Sequence, residues 1–152
     1  MTTSGSFSRI LVPTDFSAGS ETAWRAAQRL AGALGAELVL LHVLVETPLF
    51  FEGPFTGERV REVYASARAW VQEQLDKWAA DARATGQTVR AALRTGVPYQ
   101  EIVAAARDEG ADLVVLGTHG RGGLDRALLG SVADRVIRTA PCPVMTIRDA
   151  SA

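Results

Sequence analysis

The stretch from Gly117 to Ser131 carries most of the chemistry this sequence offers. It places Gly117, Gly120, Gly122, Gly123 and Gly130 between an apolar run, Asp112 to Leu116, and a helix-like segment, Val132 to Arg138. Glycines let a backbone come close to an anion. A helix N-terminus adds free N–H groups and a partial positive charge. Phosphate is the ligand that suits such a loop. Its donors would be backbone N–H groups, the Ser131 hydroxyl and the Arg121 guanidinium. The same residues also fit a plain glycine-rich connection with Ser131 as a helix cap.

Two common phosphate sites do not match. A Walker loop ends in Gly-Lys-Ser/Thr, and the only lysine of the chain is Lys77. A dinucleotide fingerprint follows the first strand, whereas this loop follows the fourth. Asp15 lies in a turn after the first strand. It can bind a ligand, help hold a divalent ion, or cap its own loop. His42 and His119 are far apart, with no third ligand spaced for zinc, so no metal site is expected. His42 reads as a strand-end histidine satisfied by backbone. Cys142, the single cysteine, sits between two prolines with nothing basic beside it, and reads as structural. No Gly-x-Ser-x-Gly elbow and no paired loop carboxylates stand out for catalysis.

These residues need elements to position them. Arg9 to Pro13 is short, apolar and β-branched, a buried first strand. Ser17 is placed to cap a helix over Ala18–Leu34, where Ala23, Trp24, Ala27, Leu30, Ala31 and Leu34 recur at helical spacing. Glu37–Val45 is almost continuously apolar, as in a strand buried on both faces. Glu46 to Gly57, with Phe50, Phe51 and Phe55, is an apolar loop. It either folds over the core, forms an interaction patch or closes over a ligand. Glu58–Thr85 is the longest helix. Thr88–Arg94 alternates, with Arg90 and Arg94 on one side, as an edge strand does. A third helix opens at Pro98 and runs to Gly110, and Asp112–Leu116 is a fourth strand. A fourth helix covers roughly 128–139, and Val144 to Ile147 is the last strand. Trp24, Trp70 and Trp78 fall on helices, where packing is the default.

The series βαβαβαβαβ predicts an α/β fold, a five-stranded parallel sheet with helices on both faces. If the ligand loops follow the first and fourth strands, those strands are neighbours at a switch point and the order is 3-2-1-4-5. The 152 residues suit one domain, with residues 1–7 as a disordered lead. Net charge is −1, so no global field recruits nucleic acid or an anionic membrane. No apolar run reaches the roughly 18 residues of a membrane span. Met1 to Ser8 lacks the basic start and apolar core of a secretory signal.

The spacing Gly117-x2-Gly120-x9-Gly130-Ser131 resembles the nucleotide-binding signature of the universal stress protein family, in its ATP-binding branch. The resemblance runs along nearly the whole chain. It takes in Ile10 to Asp15, Leu40 to Val43, Gly96-Val97-Pro98 and Pro141-Cys142-Pro143-Val144. It implies an adenine nucleotide alpha hydrolase-like, Rossmann-like fold with ATP at the C-terminal ends of the first and fourth strands, with Mg2+ as an accompanying ion.

By the same resemblance Pro13, Thr14 and Asp15 form the first loop against the nucleoside and near the phosphates. Val43 meets the adenine through its backbone. Gly117 is the ribose-side glycine, with Thr118 next to it. His119, Gly120, Arg121, Gly130, Ser131 and Val132 make the phosphate cradle. The implied role is a cytoplasmic, nucleotide-dependent regulator or sensor in the stress response, a homodimer paired through Val144 to Ile147. Two rival readings are a slow ATPase, since Asp15 and His119 could both approach ATP, and a dimeric interaction module without nucleotide.

Overall fold

The computed structural model describes residues 6–45, 57–119 and 129–149. The expected Phe50, Phe51 and Phe55 loop lies outside them, as do Gly120 and Arg121. The elements are β1 (Arg9–Pro13), α1 (Ala18–Leu34), β2 (Glu37–Leu44), α2 (Gly57–Ala84), β3 (Val89–Thr95), α3 (Pro98–Asp108), β4 (Leu113–Gly117), α4 (Ser131–Thr139) and β5 (Val144–Ile147). All five strands are parallel, in the order β3-β2-β1-β4-β5. The expected topology is therefore the observed one. Among the described residues no helix is long and apolar enough to cross a membrane.

The continuous apolar strands split cleanly between two cores. Ile10, Val12, Leu38, Leu40, Leu113 and Val115 face α1 and α2, meeting Ala23, Trp24, Val71 and Leu75. Leu11, Val39, Leu41, Val114 and Leu116 face α3 and α4, meeting Ile102, Ala105, Ala133 and Val136. Side chains alternate along a strand, so apolar residues at every position give two buried faces rather than one. Leu40, Leu41 and Leu75 are fully buried, each contributing about 1.5–3 kcal/mol.

The edges are managed by charge. β3 is an edge strand, and its arginines reach acids in the first turn and at the end of α3. Arg94 Nε lies 2.8 Å from Glu101 and Nη1 lies 3.1 Å from Asp108. Arg90 pairs with Glu109. The hydrogen bond that Arg94 donates to Glu101 does most to raise the Arg94 pKa, against the opposing pull of burial. At the other end of the central strands Phe7 packs against the core. The N–H and hydroxyl of Ser8 each donate to the Asp112 carboxylate at 2.8 Å. Burial works to raise the Asp112 pKa, but the N–H groups of Ser8 and Arg9 outweigh it and hold the carboxyl below its usual range. Burial, and secondarily the charge of Asp112, raises the Cys142 thiol. That is the setting of a structural cysteine.

One boundary needs correction. The periodicity starts the fourth helix near residue 128, yet α4 begins at Ser131. Gly130 is extended (φ −61°, ψ 152°), and its N–H donates to the Thr118 carbonyl at 2.7 Å. The backbone there is tied to the end of β4 and cannot take part in a helical turn.

Candidate functional site

β1 and β4 are adjacent, but the chain leaves them in opposite directions across the sheet. A crevice opens where their C-terminal ends part. Here it is a cleft of about 510 Å³, within the usual range of small-molecule sites, roughly 300–1,000 Å³. Pro13, Thr14, Asp15, Val43, Gly117, Thr118, His119, Gly130, Ser131 and Val132 all line it. The fold therefore brings together every expected site residue that falls among the described ones.

The first loop is fixed from within. Thr14 continues the β1–β2 ladder, its N–H donating to the Leu41 carbonyl at 2.8 Å. Thr14 and Ser20 are buried polar residues, and their hydroxyls are 3.0 Å apart. The Ser20 hydroxyl donates to the Ser17 carbonyl at 3.0 Å, and the Thr14 oxygen accepts from the Phe16 N–H at 3.0 Å. With that proton used, the Thr14 hydroxyl is the donor toward Ser20. One Asp15 oxygen accepts the Ser17 N–H at 3.0 Å. Asp15 thus does close its own turn, while still lining the cleft. His42 Nδ1 lies 2.7 Å from the Thr14 carbonyl. A carbonyl only accepts, so Nδ1 carries the proton. The strand-end reading of His42 is the observed one.

The opposite wall is built by close backbone approach. A Cβ on Gly117 would sit 2.9 Å from the Gly19 carbonyl oxygen, and one on Gly130 would sit 2.8 Å from that of Thr118. These glycines let α1, β4 and α4 converge, a packing need that the sequence alone does not separate from anion binding. α4 then points its first turn at the cleft. Gly130 is its N-cap and supplies no side-chain bond. Ser131, Val132 and Ala133 hold the N–H groups that helix geometry leaves without intrahelical acceptors. His119 Nδ1 lies 3.0 Å from the Thr118 hydroxyl, and its buried Nε2 has no hydrogen-bond partner among the described residues. An uncapped helix start and an orphaned ring nitrogen beside it fit a phosphate-bearing ligand.

Sequence reasoning missed an aromatic side to the cleft. Phe16, Ser20 and Trp70 line it. Phe16 has φ 61°, the one positive φ among non-glycine residues described. For a bulky residue that costs on the order of 1–3 kcal/mol and persists only where the surroundings enforce it. Its ring stacks on His42 at 5.0 Å and meets Trp70 and Trp78 edge-on at 5.6 and 5.3 Å. Nothing in a Thr-Asp-Phe-Ser turn marks Phe as left-handed. Trp70 lies too far along the chain to be linked to the site by spacing. Trp24, by contrast, is buried in the core as expected.

Known proteins share this frame. The family model for the universal stress protein family matches residues 6–148. A universal stress protein of Methanocaldococcus jannaschii, MJ0531, is 38% identical over 147 residues, spanning 93% of this chain and 82% of its own. The solved structure of MJ0577, from the same organism, superimposes with a TM-score of 0.86 at 29% identity, covering 97% of this chain and all of that one. A universal stress protein from Archaeoglobus fulgidus, solved in complex with dAMP, gives a TM-score of 0.63 at 26% identity, covering 92% of this chain and 97% of that one. The chain belongs to the universal stress protein family.

Proposed function

We propose that this universal stress protein binds an adenine nucleotide, ATP, in the cleft above β1 and β4 and acts as a nucleotide-dependent regulator. One observation carries the reading: the side-chain-uncapped start of α4 faces a cleft that also has a broad apolar side, with Phe16, Val43, Val45 and Trp70. Such a site accepts a molecule with an anionic end and an apolar end. The dAMP complex of the Archaeoglobus fulgidus protein supports an adenine nucleotide as that molecule.

In this reading the N–H groups of Ser131 and Val132 and the Ser131 hydroxyl hold phosphate, with His119, Gly120 and Arg121 completing the cradle. Pro13, Thr14 and Asp15 flank the nucleoside, Val43 meets the adenine, and Gly117 and Thr118 lie by the ribose. Mg2+ would enter with the phosphates and neutralise part of their charge. Cytoplasmic location and a role in the stress response belong to the same proposal. So does a homodimer through β5, an edge strand with Met145 38% exposed, since an open edge invites a partner strand.

Mass spectrometry of small molecules released from freshly purified, denatured protein tests the reading. Co-purified adenine nucleotide, and calorimetric ATP binding that empties and refills the site, are the expected results. No adenine nucleotide released, together with no binding on titration, would turn the reading into the interaction-module alternative. Phosphate release at many turnovers per minute would turn it into an ATPase.

A further inference from the structure

We infer that Trp70 is the base-contacting wall of the cleft, and that an aromatic ring of the ligand packs against its indole. The inference deepens the nucleotide reading and rests on it. Trp70 lies on α2, an element that contributes none of the expected site residues. It lines the cleft yet stays 48% exposed, an unusual place for the largest apolar side chain. It is not loose. Phe16 presses on it edge-on at 5.6 Å, and the same ring stacks on His42 at 5.0 Å. His42 in turn lies 2.7 Å from the Thr14 carbonyl. The first loop, β2 and α2 are thereby joined through one set of rings. The loop bearing Thr14 and Asp15 is held by the ring that seats Trp70, with Phe16 kept at φ 61°.

Val45, 53% exposed, extends the apolar lip on the same cleft. The polar donors of α4 serve the anionic end of a ligand, and the indole offers a flat apolar surface for the other end. Stacking suits any base, because every base has a π face. The wall therefore separates ring-bearing anions from bare phosphates. It does not by itself choose adenine.

The test uses the full chain with ATP and inorganic triphosphate as probes. Calorimetry gives the affinities, and thermal melts follow folding. Trp70→Ala is expected to weaken ATP binding on the order of tenfold, the usual loss when a stacking aromatic is truncated, and to leave triphosphate affinity unchanged. Trp70→Leu keeps bulk without a π face and should behave alike if the alanine variant folds poorly. Trp70→Phe should keep ATP affinity within about threefold and lose most of the ATP-induced change in tryptophan fluorescence. ATP affinity unchanged in folded Trp70→Ala or Trp70→Leu protein would overturn the wall while leaving the nucleotide site intact. Failure of the wild-type chain to bind ATP at all would overturn both.

Discussion

α1 and α4 both begin at the rim of the cleft, and their first turns are finished differently. At α1 the chain supplies its own acceptors. The Ser17 hydroxyl accepts the Ser20 N–H at 3.2 Å, and Asp15 accepts the Ser17 N–H at 3.0 Å. At α4 the N-cap is a glycine, which has no side chain to offer. α3 also starts beside the cleft, but Pro98 in its first turn removes a donor. Neither α3 nor α4 has a side-chain cap, but α4 keeps all three first-turn N–H groups, whereas Pro98 leaves α3 with one fewer. A capped start contributes to stability. An uncapped start forgoes that contribution and gains a binding surface.

The comparison can be broken most forcefully at Gly130. Gly130→Val must displace the Thr118 carbonyl 2.8 Å away. Nucleotide affinity and melting temperature should fall together, so this variant alone does not separate packing from binding. Ser131→Pro is sharper. Gly130 already has the extended backbone that precedes proline, and proline fits the first helical position. The substitution removes one backbone donor and the hydroxyl. ATP affinity should drop roughly tenfold to a hundredfold, the worth of about 1.5–3 kcal/mol for a hydrogen bond to a charged group, with the melting temperature nearly unchanged. Ser131→Ala removes the hydroxyl only and should lose less. Equal losses in both would show that the backbone N–H does not bind.

The capped helix should give the reverse pattern. Ser17→Ala should cost about 1 kcal/mol of stability in chemical denaturation and move the ATP dissociation constant by less than that. A larger effect on affinity than on stability would mean that α1 belongs to the binding surface after all.

The smallest effect lies at the far end of the strands, where Asp112 holds Ser8 and Arg9. Its carboxyl is depressed in the folded protein. Its contribution is therefore present above the ordinary carboxylate pKa and is lost as pH falls through the depressed folded value. The stability gap between wild type and Asp112→Asn should be widest near neutrality and close below about pH 4, with ATP affinity unaffected at neutral pH. A gap that widens on acidification would reverse the assignment.

Much of this was legible in the residues. Continuous apolar strands separated by amphipathic helices leave few arrangements, and a ligand loop after the fourth strand selects the order with β1 and β4 adjacent. The glycine spacing directed attention to the α4 start, and the cleft gathers the expected residues that are described. The helix boundary near Ser131 was misplaced because a glycine's extended conformation was set by a bond to Thr118, not by its neighbours. The sequence by itself determined the strand order and the two-faced core, because periodicity and residue type are local and survive without coordinates. Only the tertiary structure decided that Gly117 and Gly130 are needed for close backbone packing, that Phe16 is left-handed, and that Trp70 reaches the cleft. Each of those depends on atoms far apart along the chain meeting within a few ångströms.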